Sequence, residues 1–263
     1  ILNISPDHLE RHGSMENYVN AKFKLVTNQS NKDFAFLNSK NRYLKKKIKN
    51  NKFFSKVIKV NPHSFYKFKE KIKNPYFLSQ SNIENLSFII SLTTKLNFKF
   101  KKIIKIINKF KGLKYRQQVI YNNEKVTIIN DSKATSFAST INIFRSKKKV
   151  FWLVGGIGKE GDKFKLKKSE CKNINAYIFG KNKNFFVKKF KNKLSYRCFK
   201  DLNSALKQVI KETVSCRNDL HKTILFSPSA ASFDSFKNFE ERGEYFNFLL
   251  KKYKVKETLN AIK

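Results

Sequence analysis

From residue 119 onward, short apolar runs alternate with longer stretches of helical spacing, and no other feature of the chain restricts its fold as strongly. Residues 119–121 and 126–129 flank an Asn-Asn turn and predict a hairpin. Helix 134–146 follows, then strand 150–154, strand 176–179, helix 181–190 and strand 195–199. The series ends with helix 202–214, for which Asp201 is the cap, strand 223–226 and helix 235–250. Strands separated by helices return parallel to one another, so the predicted fold is α/β, a mainly parallel sheet covered by helices on both faces. Gly243 falls inside the last helix, where glycine costs about 1 kcal/mol relative to alanine. A packing reason is therefore expected there.

The first part of the chain has a different grammar. Met15, Tyr18, Val19, Phe23 and Val26 share one face of a helix that Ser14 can cap. Lys22 stands four residues after Tyr18 and four before Val26, which predicts a lysine on the inward face. Strand 33–37, basic helix 39–49, strand 56–60 and helices 83–96 and 100–110 follow. Residues 111–114, with Gly112, read as a linker between two units. The chain opens on Ile1, inside what reads as a strand end (residues 1–4), so a piece of a longer protein is expected.

Composition narrows the partners. Hydrophobic residues make up 40%, with 27 Phe, enough for a core and too much for a wholly disordered chain. The formal charge of +38 invites a basic nucleic-acid-binding reading. Against it, only seven of the 57 basic residues are Arg, the residue that phosphate and base recognition recruits. Lys, Asn, Ile and Phe rise together while Gly and Pro are scarce, a bias that codon composition accounts for, so no specific nucleic acid is expected. The three cysteines form no CxxC pair and predict reduced thiols in a cytoplasmic setting. No apolar run reaches membrane-spanning length, and no membrane partner is expected.

Chemistry-bearing residues gather at predicted strand ends, where open α/β sheets bind ligands. Asn3 to Arg11 sets Asp7, His8 and Glu10 together, a group better suited to Mg²⁺ or Mn²⁺ than to zinc. Asn130-Asp131-Ser132-Lys133-Ala134-Thr135 runs into a helix whose first N–H groups can receive an anion, or that Asp131 or Ser132 simply caps. Gly155-Gly156-Ile157-Gly158-Lys159-Glu160-Gly161-Asp162 is glycine-rich but is no Walker A loop. Ser227 to Ser232 offers small residues between a strand and a helix, followed by Phe239-Glu240-Glu241-Arg242-Gly243.

Taken in this order and spacing, these segments, with Tyr18-Val19-Asn20-Ala21-Lys22, resemble the Mur ligases over nearly the whole chain. Segments 131–135 and 227–243 are most similar to family members that add D-glutamate to UDP-N-acetylmuramoyl-L-alanine in peptidoglycan precursor synthesis. The resemblance implies the second half of a central ATPase domain over residues 1–112. It implies a Rossmann-like carboxy-terminal domain over residues 113–263. It also implies ATP and Mg²⁺ as cofactors, an acyl phosphate, and a monomer at full length. His8 resembles a Mg²⁺ ligand, and Lys22 the lysine that becomes a carbamate facing the metal. Asn85 resembles the adenine contact, although the family's Gly-x-His-Asn reads Ser79-Gln80-Ser81-Asn82 here. Arg116 and Asp131 resemble contacts to ATP phosphate and ribose, and Lys133 an active-site lysine. Thr135, Lys159, Ser232 and Phe239, the last through its backbone, resemble the pocket for the D-glutamate side-chain carboxylate. These residues by themselves are expected to bind ATP poorly and to show no ligase turnover. Another amino-acid ligase of the superfamily, similar to folylpolyglutamate synthase, is the neighbouring alternative.

Overall fold

The computed structural model describes residues 1–5, 9–78, 80–144, 147–217 and 219–260. The chain divides into two compact units, Ile1–Lys111 and Gly112–Lys263.

The first unit contains α1 (Leu9–His12), α2 (Met15–Thr27), β1 (Phe34–Asn38), α3 (Arg42–Asn50) and β2 (Lys56–Val60). Two 3₁₀ segments, Ser64–Lys71 and Pro75–Leu78, lead to α4 (Gln80–Lys95) and α5 (Phe100–Lys109). Ser14 caps α2 by accepting from the Asn17 amide at 3.1 Å, and Tyr18, Val19, Phe23 and Val26 are buried as their spacing predicts. The β1–β2 pair is parallel. The third helix starts at Arg42, later than expected, because Asn38 and Asn41 spend their side chains on turn amides: Asn38 Oδ1 accepts from Lys40 and Asn41, and Asn41 Oδ1 accepts from Tyr43 and Leu44.

The second unit carries β3 (Gln118–Asn122), β4 (Val126–Asn130), α6 (Phe137–Phe144), β5 (Lys149–Gly155) and β6 (Ile174–Phe179). It continues with α7 (Lys183–Phe190), β7 (Ser195–Cys198), α8 (Leu202–Ser215), β8 (Lys222–Phe226), α9 (Phe239–Lys252) and α10 (Val255–Asn260). Six strands lie in the order β3-β4-β8-β5-β6-β7. Only the β3–β4 hairpin pairing is antiparallel; the others are parallel. One face packs on α6 and α7 through Phe137, Ile141, Trp152, Phe186 and Phe190. The other packs on α8, α9 and α10 through Leu206, Val209, Phe226, Phe246 and Leu259. The α/β class with a mainly parallel sheet and helices on both faces is as the alternation predicted. Each fully buried Phe removes apolar area worth about 2–3 kcal/mol from water. Trp152, fully buried, satisfies its indole N–H on the Ser227 carbonyl at 2.7 Å.

Among the described residues no helix is long and apolar enough to cross a membrane. Cys171, Cys198 and Cys216 are free thiols.

Candidate active site

The strand order puts three motif-bearing loops side by side. β8 lies between β4 and β5, and all three run parallel, so their carboxyl ends open on one edge. The connection from β4 enters α6 on one face of the sheet, while that from β8 enters α9 on the other. Connections leaving to opposite faces open a crevice, the place where ligands bind in this class of sheet. Hydrogen bonds stitch the loops together. The Asp131 amide donates to Phe226 O (2.7 Å) and the Gly155 amide to Pro228 O (3.1 Å). Ile157 and Ala231 exchange a pair of backbone bonds at 2.9 and 3.0 Å. Gly156 makes this approach possible. Its φ is +118°, and a Cβ there would stand 2.3 Å from the Ala231 carbonyl oxygen.

Asp131 is 5% exposed at the end of β4. Its Oδ1 accepts from the Gln117 amide at 3.0 Å and its Oδ2 from Ser227 Oγ at 2.9 Å. Burial pushes its carboxyl up to about 7, against the pull of those two donors and of the Arg116 charge. Behind it lies a buried chain of hydroxyls, with Thr140 Oγ1 at 2.6 Å from both Ser227 Oγ and Ser229 Oγ. When Asp131 is ionised, Ser227 donates to it, so Thr140 donates to Ser227 and Ser229 to Thr140.

Helix α6 starts at Phe137, three residues later than predicted, and neither Asp131 nor Ser132 caps it. Asp162, on the glycine-rich loop, accepts from the Phe137 amide at 2.8 Å. Lys133 is half-buried, its amide donating to Tyr115 O at 3.0 Å and its Nζ lying 4.1 Å from the Phe239 ring centroid. Helix α9 begins at Phe239, not at 235, because Asn238 caps it through the Glu241 amide (2.8 Å) and residues 232–236 form a turn on the Ser232 carbonyl. The Phe239 carbonyl accepts from Ser132 Oγ at 2.8 Å; its N–H, in the first turn, has no ladder partner within the helix. Gly243 has the packing reason that its helical position predicts, since the Tyr115 ring fills the space of its missing side chain.

Thr135 and Lys159 are half-buried on their loops and Ser232 is buried. The segments carrying them are those joined by the Phe137–Asp162 and Ile157–Ala231 bonds. A recess of about 330 Å³ lined by Gly158, Glu160, Phe185 and Lys189 flanks the glycine-rich loop. Arg116 is exposed. In the first unit, Asn85 is exposed on α4, its Nδ2 3.4 Å from Asn82 Oδ1. Asn85 borders an apolar groove of about 500 Å³ with Leu25, Phe34 and Phe88. Lys22 corrects the expectation of an inward lysine. It is exposed, with Nζ 5.5 Å from the Tyr18 ring centroid. Helical side chains lean toward the amino terminus, so Lys22 lies over the preceding turn instead of entering the core. His8 lies outside the described residues.

Sequence reasoning quoted Arg242, Asp162 and Asn130 within their motifs but gave none of them a role of its own. Asn130 is buried and joins α9 through the Gly243 carbonyl (2.8 Å) and Asn247 Oδ1 (2.9 Å). Arg242 could have been found as one of seven arginines, placed directly before a glycine that a helix would otherwise avoid.

A family model described as the Mur ligase middle domain matches residues 1–104. The UDP-N-acetylmuramoylalanine--D-glutamate ligase of Rickettsia bellii (strain RML369-C) is 32% identical over 268 residues, covering 94% of this chain and 59% of that protein. The protein of the same name from Hydrogenobaculum sp. (strain Y04AAS1) is 33% identical, covering 96% and 62%. The chain thus spans about three fifths of the length of these relatives. Among solved structures, the MurF ligase of Thermotoga maritima in complex with ADP shares the fold, with TM-score 0.64 and 15% identity over 95% of this chain and 61% of that one. A pseudomurein peptide ligase type C from Methanothermus fervidus does so with TM-score 0.57 and 15% identity over 96% and 62%. The likeness to the Mur ligases runs through both units, since the family model matches residues 1–104 and the relatives match 94–96% of the chain.

Proposed function

We propose that this chain serves an ATP-dependent amide ligase that adds D-glutamate to UDP-N-acetylmuramoyl-L-alanine. The observation that carries the proposal is the gathering of the three motif loops at the carboxyl ends of β4, β8 and β5, cross-bonded in one crevice. The relatives' names support the same choice of amino acid. In this reading residues 1–112 belong to a central ATPase domain and 113–263 form the domain that brings the amino acid.

A carboxylate is a poor electrophile, so it first attacks the γ-phosphorus of ATP and ADP leaves. The free amine of D-glutamate then attacks the acyl carbon and loses a proton, and inorganic phosphate departs. The protein's task is positioning and charge neutralisation. Lys133, steadied over the Phe239 ring, places its ammonium beside the reacting groups. Thr135, Lys159, Ser232 and the Phe239 N–H hold the diacid. Arg116 serves the phosphates, Asp131 the ribose and Asn85 the adenine. His8 and Lys22 as its carbamate would hold Mg²⁺, which would supply countercharge to the phosphates. The exposed Lys22 amine is open to CO₂. Among the described residues no three His, Cys, Asp or Glu side chains stand together as a metal cluster, and no step above is routed through the cation.

The test is an amide-shift titration of the ¹⁵N-labelled chain with D-glutamate, L-glutamate and D-aspartate. D-Glutamate alone should move Thr135, Lys159 and Ser232. Shifts confined to other regions, or equal response to L-glutamate, would remove the reading and favour another acceptor.

A further inference from the structure

Arg242 is 1% exposed, in the first turn of α9. A buried guanidinium is costly unless its donors are used. Its Nε donates to Ser132 Oγ (3.1 Å), and its Nη2 to Ser132 O (2.7 Å) and Ala230 O (3.0 Å). These hydrogen bonds all end on two loops. Ser132 stands three residues before Thr135, and Ala230 two before Ser232. Nη1 makes no hydrogen bond and abuts the third loop, 3.0 Å from where a Cβ on Gly156 would sit, three residues before Lys159. Burial lowers the guanidinium to about 10, partly offset by the Asp234 charge, so it stays cationic at neutral pH. A pin that served only the core would bond its own helix or the sheet. This one bonds the two ligand loops and presses on the third.

We infer that Arg242 is a positioning residue that sets the width of the glutamate pocket by holding the Ser132 and Ala230 loops at a fixed separation against Gly156. The inference rests on the function proposed above. A planar fork can reach two carbonyls at once in a fixed geometry, which a lysine ammonium on a flexible stem cannot. If the separation sets the reach of the pocket, a diacid one methylene shorter than glutamate leaves its side-chain carboxylate short of Thr135 and Ser232. Loosening the clamp should therefore cost glutamate affinity and also erase the length discrimination.

The experiment compares the wild-type 263-residue chain with Arg242→Lys, titrating each with D-glutamate and D-aspartate by amide shifts, with thermal melts alongside. Arg242→Lys should weaken D-glutamate about tenfold and bring the two diacids to within about threefold of each other, since a methylene-sized fit is worth at least about tenfold. General destabilisation would lower the melting temperature and leave the ratio between the diacids unchanged. A folded Arg242→Lys with the wild-type ratio would overturn the clamp and leave the pocket standing. Failure of the wild type to bind D-glutamate would remove the pocket and the clamp together. If the variant does not fold, the wild-type Arg242 Nε–H resonance decides. It should exchange slowly and shift when D-glutamate is added, and a fast-exchanging or unmoved signal counts against the clamp.

Discussion

Replacing Gly243 by alanine is expected to destabilise the second unit, although alanine is the better helix former. In a helix interior the change ordinarily gains about 1 kcal/mol. Here the new Cβ would stand 2.4 Å from Tyr115 Cδ1 and 2.6 Å from its Cγ. The ring cannot swing aside freely. Tyr115 is held at φ +60°, with its amide donating to Gln118 Oε1 at 3.1 Å and its carbonyl accepting from the Lys133 amide at 3.0 Å. Forcing a methyl into such a contact costs about 1–3 kcal/mol, set against that gain. The net loss is then up to about 2 kcal/mol, and each kcal/mol is worth roughly 2–4 °C in Tm for a domain of about 150 residues. Trp152 is the sole tryptophan and lies in the core of this unit, so its fluorescence follows the second unit alone in urea and thermal melts. The decisive comparison is a double-mutant cycle. In a Tyr115→Ala background the obstacle is gone, and Gly243→Ala should raise stability by up to about 1 kcal/mol. The same sign in both backgrounds, or a stabilising Gly243→Ala in the wild type, would refute the reasoning.

Other changes test separate links. Gly156→Ala places a Cβ 2.3 Å from the backbone oxygen of Ala231 at a φ that side chains avoid, and should cost about 2–5 kcal/mol in urea denaturation. Asp162→Ala removes the acceptor for the Phe137 amide and should cost about 1 kcal/mol, with faster hydrogen exchange in the first turn of α6. Asp131 imposes a pH dependence. Its folded carboxyl lies near 7 against an unfolded 3.8, so the folded state binds the extra proton between those values. Its contribution to stability is fully present below about pH 4 and is lost as pH rises through 7, on the order of 4 kcal/mol in total. Asp131→Asn should flatten that slope when the two stability profiles are subtracted, and identical slopes would reject the burial argument.

Much of the fold was legible in local spacing. Tyr18, Val19, Phe23 and Val26 repeat at the helical period because a helix packed on one side must bury one stripe. The strands of the second unit were readable as short apolar runs, because a sheet covered on both faces buries every residue of β4 and β8. Element starts were less legible. Helices α3, α6 and α9 all begin late, since Asn38, Asn41, Asp162 and Asn238 divert amides that helical periodicity alone would assign to the helix. Of these, Asp162 is remote in sequence from the helix it caps, and no local pattern reveals it.

The motif residues themselves, and the expectation that they stand at strand ends, came from the order of residues alone. The meeting of the loops after β4, β5 and β8 did not. It depends on β8 entering between β4 and β5, a non-local pairing set by which sheet faces the helices cover. Arg242 is buried for the same reason, because three loops close over it. Lys22 errs in the opposite direction. Its wheel position is apolar, but side-chain lean carries it over the Tyr18 ring and leaves it in water. Periodicity records which face of an element is apolar, whereas burial at a given residue is decided by what another part of the chain lays against it.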